Sequence, residues 1–249
     1  MKDNPITGTR YLIKGFRLLF RPGLRRYLLV PLVINILVFS LIGWLGYINI
    51  EGVLERLLPE QSWLHYFRWL LWPLFAIAFL MLVFYTFTVV ANLLAAPFNG
   101  LLAEKVELML TGKPPTDAHT SIAAAILPSL LSEIRKLFYF LLRAIPLLLL
   151  FLIPVINVAA PFLWFAFSAW FLTMEYIDYP MGNHGLGFRQ QLGLLKQRRL
   201  ISYGFGGGVT LLMLIPIVNF AAMPAAVAGA TALWCDLGPV LAREGRDKG

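Results

Sequence analysis

The segment Arg21-Pro22-Gly23-Leu24-Arg25-Arg26 holds the residue types and spacing most suited to binding chemistry. Pro22 lies beside an expected helix start, where its preset φ suits the first turn and its missing N–H is no loss. Gly23 lets the backbone approach a ligand closely. The first turn of a helix offers N–H groups without intrahelical partners and the positive end of the dipole, which together bind anions. Arg25 and Arg26 add planar, bidentate donors matched to a tetrahedral oxyanion. A structural reading stands beside this one: paired arginines just inside a first membrane span are also a routine topology signal.

A second feature is an echo within the chain. Leu152–Ala160 reads LIPVINVAA and Leu214–Ala222 reads LIPIVNFAA, 62 residues apart. Each copy interrupts a long apolar stretch with a proline and an asparagine. In hydrocarbon the backbone groups freed by such breaks survive only where protein buries them or a wet cavity receives them. Paired breaks of this kind point to a solute pathway, so Pro154, Asn157, Pro216 and Asn219 are pathway candidates, with Asn99 and Glu104 beside the second apolar stretch. Chance recurrence of Ile-Pro breaks in membrane helices is the competing explanation.

Other chemistry finds little support. His65, His119 and His184 are scattered, Cys235 is the only cysteine, and no metal-ligand spacing emerges. Gly204–Gly208 lacks the lysine and the preceding strand of a phosphate loop, and its small residues suit close helix contact instead. No nucleophile–base pair is assembled, so an enzyme is not expected, and no cofactor is called for. Glu104, Glu107, Glu175 and Asp178 fall just past uncharged stretches, where they could titrate, pair with Arg25 or Arg26, or mark the interface. The stretches themselves contain no acid, which favours a channel-like path over a proton-driven carrier.

The elements that must position these residues are membrane helices. Of 249 residues, 59% are hydrophobic and 14% charged, far from a soluble composition. Tyr27–Ile50, Trp69–Ala103, Ala144–Met174 and Leu200–Cys235 lack Asp, Glu, Lys and Arg altogether, and about 20 apolar residues suffice for a span. Seven of the 21 basic residues precede Tyr27, two lie between the first two stretches and twelve follow the second. That puts both termini in the cytoplasm and residues 51–68 outside. The net charge of +8 thus serves topology and anionic lipid rather than nucleic acid, for which no motif is present.

The expected fold is one all-α integral membrane domain over 1–249. A basic amphipathic N-terminal segment covers 1–26: Arg10, Lys14, Arg17 and Arg21 share one face of a helix over 7–21 that lies in the headgroup plane. The first span covers 27–50. The second, with a cytoplasmic extension, covers 69–110. The Pro-broken stretches at 129–174 and 200–235 form either re-entrant hairpins or pairs of full spans. Arms of about 14 apolar residues rise only about 21 Å, short of the ~30 Å hydrocarbon core, which favours hairpins.

The chain resembles the CysZ sulfate permease family of bacterial inner-membrane proteins. The resemblance rests on PGLRR (Pro22–Arg26), LLWP (Leu70–Pro73), AAPFNGLLAE (Ala95–Glu104), RAI (Arg143–Ile145), LWFAFSAW (Leu163–Trp170), DYP (Asp178–Pro180) followed by Asn183 and His184, and GATALW (Gly229–Trp234). It implies sulfate uptake for cysteine synthesis without nucleotide hydrolysis, and a fold of two spanning helices and two hairpins that penetrate partway. It implies that Gly23, Leu24 and Arg25 bind sulfate, with Arg26 adjacent and backbone amides and arginine side chains as ligands. Sulfite is a candidate second substrate. It also implies homo-oligomers described as hexamers with antiparallel protomers, whereas the 19-to-2 split of basic residues across the membrane predicts one dominant orientation. A proton- or sodium-coupled symporter and a non-transporting membrane scaffold remain the alternative readings.

Overall fold

The computed structural model describes residues 3–57, 73, 74, 77, 80, 81, 85, 98–115 and 122–246. Most of the expected second span, the loop at 58–68, His65 and His119 lie outside the described residues. Among the described residues every regular element is helical: α1 (Pro5–Leu19), α2 (Arg25–Leu57), α3 (98–111), α4 (Ile122–Leu150), α5 (Ala160–Gly182), α6 (Phe188–Gln197), α7 (Arg199–Met213) and α8 (Pro216–Arg246). The chain divides into two units, Leu29–Phe98 and the combination of Met1–Leu28 with Asn99–Gly249.

The unit Leu29–Phe98 carries most of α2. Leu37, Trp44 and Ile36 are more than half exposed, as apolar side chains are when lipid rather than protein is their solvent. Among the described residues, Arg25–Leu45 is the one segment long and apolar enough to cross a membrane, by length and composition. Pro31 sits inside this helix without ending it.

The larger unit is built around close helix contact. Helix α1 starts where Asn4 accepts the Ile6 N–H at 2.9 Å and Pro5 fills the first position. Its apolar face, with Leu12, Leu18 and Leu19 buried, meets α7 and α8 rather than lipid. Glycines set the approach. A Cβ on Gly15 would collide with the Ala225 and Gly229 backbone of α8, and one on Gly8 with the Ile201 carbonyl of α7. Gly204 of α7 abuts Pro5, and Gly206 abuts Ala169 of α5. The Gly204–Gly208 run thus serves helix contact, as the sequence suggests.

Polar clips reinforce these crossings. The Asp3 carboxylate accepts the Leu200 and Ile201 N–H groups at 3.3 and 2.9 Å, capping α7. Thr9 donates to the Gly204 carbonyl at 3.0 Å, and Tyr11 donates to Asp236 of α8 at 2.7 Å. Burial and this hydrogen bond hold the Tyr11 phenol above its ordinary pKa.

Two helical hairpins complete the unit. Helices α4 and α5 are joined by residues 151–159, and α7 and α8 by Leu214 and Ile215. The repeated sequence is the two tips. In each copy the asparagine N–H donates to the isoleucine carbonyl before the proline: Asn157 to Ile153 at 3.0 Å, and Asn219 to Ile215 at 2.9 Å. Leu152, Val155, Val158 and Leu214 are 77%, 86%, 73% and 72% exposed, so both tips present bare apolar surface. Val155 has φ +72°, a strained setting for a β-branched residue.

The Gly15 crossing yields a direct test. Gly15→Val should lower stability by about 1–3 kcal/mol or more through overpacking. Gly193→Ala, where added volume meets open space in α6, should hold or gain a few tenths to about 1 kcal/mol. Thermal denaturation in detergent reads both, and equal melting temperatures for Gly15→Val and the parent would rule out an obligatory backbone approach.

Candidate anion site and the charged hairpin bases

Between α1 and α2 the chain makes one tight turn. The Leu24 N–H donates to the Arg21 carbonyl at 3.2 Å, and Gly23 has φ +89° with nothing within 4 Å of where a Cβ would stand. Pro followed by a positive-φ Gly across such a bond is the type II pattern. The Leu24 side chain is fully buried and anchors the turn to the unit beneath. Its carbonyl accepts the Tyr27 N–H at 3.0 Å as α2 begins.

The expected site residues are therefore contiguous, with Gly23, Arg25 and Arg26 exposed and Leu24 buried, and with one amendment. Of the two expected amides, that of Leu24 is engaged in the turn, while Gly23 N–H donates to no carbonyl there. The Arg25 and Arg26 amides open α2, where no intrahelical acceptor exists. Arg25 Nε donates to the Phe20 carbonyl at 2.8 Å, which ties the guanidinium to the end of α1 and leaves both Nη groups without a partner among the described residues. Arg26 lies against Tyr27, with Nη2 3.3 Å from the hydroxyl and the guanidinium 5.1 Å from the ring centroid. The amides of Gly23, Arg25 and Arg26 and two exposed arginines at a helix start can hold an oxyanion.

The pathway candidates are placed apart. Pro154 and Asn157 lie at one hairpin tip, and Pro216 and Asn219 at the other. Asn99 is buried, its amide donating toward the Tyr179 hydroxyl and Met223 Sδ, each at 3.3 Å. Asn183 donates to the Gly100 carbonyl at 3.2 Å, and His184 Nε2 lies 2.7 Å from Glu107 Oε1. These bonds clasp α3, where Glu104 is half-buried, to the end of α5. The AAPFNGLLAE and DYP-NH markers thus recognise each other.

The acids near the interface find partners other than Arg25 and Arg26. Lys136 on α4 is buried, with Glu133 Oε1 and Asp178 Oδ2 each 2.7 Å away and Glu175 Oε2 at 3.9 Å. Gln191 of α6 donates to Asp178 as well. Burial raises the Glu175 pKa, and Lys136 opposes the rise. Sequence reading missed Lys136 as the hub. Its only local signal is Glu133 three residues earlier.

Exposed apolar helices and tips above buried ionic bases define the molecule as an all-helical membrane protein. The family described as "Sulfate transporter CysZ/Etoposide-induced protein 2.4" matches residues 11–224. The chain is 45% identical over 232 residues to the "Sulfate transporter CysZ" of Pseudomonas fluorescens (strain Pf0-1), covering 92% of this chain and 93% of the relative. It is 44% identical to that of Pseudomonas paraeruginosa, covering 92% and 94%, and 40% identical over 237 residues to that of Pectobacterium atrosepticum, covering 94% and 86%. The chain belongs to this transporter family.

Substitutions at two positions check the geometry. Gly23→Val should cost about 1–2 kcal/mol by forcing a left-handed residue, with Gly23→Asn milder because Asn tolerates that region; equal melting of the two variants would contradict the turn. Lys136→Met should cost about 1–3 kcal/mol, because it removes the buried cation shared by three partly exposed carboxylates, again read by thermal denaturation.

Proposed function

We propose that this chain admits sulfate across the bacterial inner membrane by a channel-like route without nucleotide hydrolysis, supplying sulfate assimilation for cysteine synthesis. The observation that carries the reading is the outward turn at Gly23–Arg26, an oxyanion-shaped set of donors in a member of a sulfate transporter family. Arg25 supplies the main charge, Arg26 a second fork, and the amides of Gly23, Arg25 and Arg26 complete the shell. The Leu24 side chain holds the turn in place.

In this reading the protein is multi-pass, with α2 and the second apolar stretch spanning and the two hairpins entering partway. The distance along α4 supports partial entry: from Lys136 to Leu150 the helix rises only about 21 Å, short of the ~30 Å core. The tips at Pro154–Asn157 and Pro216–Asn219 border the pathway, with Asn99 and Glu104 toward its cytoplasmic end. Sulfite is a second candidate substrate, and the protein acts as a homo-oligomer. The carboxylates around Lys136 favour one second reading, a proton-coupled carrier, since Glu175 is held toward its neutral form by burial.

Labelled sulfate uptake into proteoliposomes holding only this protein tests the proposal. Saturable uptake at zero ion gradient, competed by sulfite or selenate and not by chloride, is the expected result. Arg25→Ala with Arg26→Ala should cut sulfate binding about tenfold or more, on the scale of charge-assisted hydrogen bonds. Unchanged binding in that folded variant removes the turn from the mechanism. Uptake that collapses with a protonophore at clamped potential selects the carrier instead.

A further inference from the structure

An open cavity of about 380 Å³ lies between α4, α5, the end of α6 and the start of α7. It is lined by Arg143, Lys196 and Arg199, none of which meets a carboxylate among the described residues. Beside them stand Tyr139, Trp170 and Tyr203. Trp170 Nε1 donates to the Tyr139 hydroxyl at 2.9 Å, Arg143 lies 3.6 Å over the Tyr139 ring centroid, and the Trp170 and Tyr203 rings are 5.3 Å apart. Toward the hairpin tip the wall becomes Leu147, Leu163 and Phe167.

The order of these groups along the helices matters. Leu147 is one turn nearer the tip than Arg143, and Leu163 is two turns nearer it than Trp170. Tyr203 is one turn nearer the other tip than Arg199. On α4 Tyr139 is one turn farther from the tip than Arg143, so cations and amphipathic aromatics together occupy the end nearer the hairpin base and aliphatics follow toward the membrane interior, which is the polarity of a phospholipid: a polar head, then an acyl chain. The volume is that of a small-ligand site, far larger than a bare tetrahedral oxyanion requires. Its apolar end continues onto Leu148 and Leu152, which are 52% and 77% exposed and leave room for chains to run along α4. Asp3 already occupies the Leu200 and Ile201 amides at the start of α7, so the donors here are side chains, reaching outward from three helices.

We propose that this cavity is a binding site for an anionic phospholipid, with the phosphate held by Arg143, Lys196 and Arg199 and an acyl chain laid against Leu147, Leu163 and Phe167. The site is separate from the Gly23–Arg26 turn and needs only the membrane entry of the α4–α5 hairpin, not sulfate transport. A basic pocket between helices at the cytoplasmic boundary selects anionic over zwitterionic headgroups by charge. A bound lipid would join α4 to α7 across the gap left among the described residues.

The full-length protein, delipidated in neutral detergent, is titrated with dioleoyl-phosphatidylglycerol and dioleoyl-phosphatidylcholine, and retained lipid is read by native mass spectrometry. Phosphatidylglycerol should be retained in preference. Lys196→Gln with Arg199→Gln should weaken its retention about thirtyfold, fivefold or so for each basic residue removed near the surface. Arg10→Gln with Arg17→Gln, which removes the same charge from the exposed face of α1, should leave it unchanged. All four positions are solvent-exposed, and far-ultraviolet circular dichroism confirms that each variant folds. Equal retention of the two lipids, or equal loss in both double variants, overturns the proposal. Displacement by inorganic sulfate or glycerol phosphate at the concentration of the lipid identifies an oxyanion site without an acyl chain and overturns it too. Because the readout is lipid mass, it stands or falls apart from the uptake assay.

Discussion

Backbone-to-backbone contact between helices is the constraint on which the rest of the larger unit depends. Gly8 and Gly15 of α1, Gly204 and Gly206 of α7 and Gly229 of α8 lie where any side chain would strike a neighbouring backbone. In a membrane there is little hydrophobic gain from hiding one apolar helix against another, so close packing and hydrogen bonds must provide the association. Glycine permits both. It brings Thr9 to the Gly204 carbonyl and Asp3 to the α7 amides, and it fixes the end of α1. The basic turn at Arg21–Arg26 is therefore held by a rigid strut, and Arg25 is further tied to Phe20. An anion site made of amides and arginines loses least on binding when its donors are already in place.

A second layer of order comes from charge. The hairpin tips are apolar and bare, whereas the bases hold Lys136 among three carboxylates and His184 against Glu107. Buried ion pairs of this kind contribute little net stability compared with apolar substitutes, but breaking one is expensive. On α4 the last charge before the tip is Arg143, two turns beyond Lys136, and it shares a cavity with Lys196 and Arg199. The α4–α5 hairpin thus runs from an ionic base to an apolar tip.

Much of this was readable from residues alone, and for identifiable reasons. The basic face of α1 follows from spacings of three and four, because a helix repeats every 3.6 residues. The turn at Pro22-Gly23 follows from the preset φ of proline and the left-handed freedom of glycine, here φ +89°. The echo at Leu152–Ala160 and Leu214–Ala222 marks chain reversals because in each copy the proline has no N–H to continue the preceding helix. Family membership was legible through short polar motifs, AAPFNGLLAE and DYP-NH above all, whose residues bond each other across α3 and α5.

The sequence by itself determined composition, helix type, break points and the chemistry of the turn, since these depend on neighbours within one or two turns. Only the tertiary structure decided that the apolar face of α1 meets α7 and α8, that Asp178 answers Lys136 42 residues away, and that Leu24 gives its amide to the turn and its side chain to the core. It alone brought Arg143, Lys196 and Arg199 from three helices to one cavity. Periodicity tells which face of a helix is apolar, but not whether lipid or another helix will cover it. Ion pairs between distant residues depend on how helices cross, which in this protein is set by where a Cβ is missing.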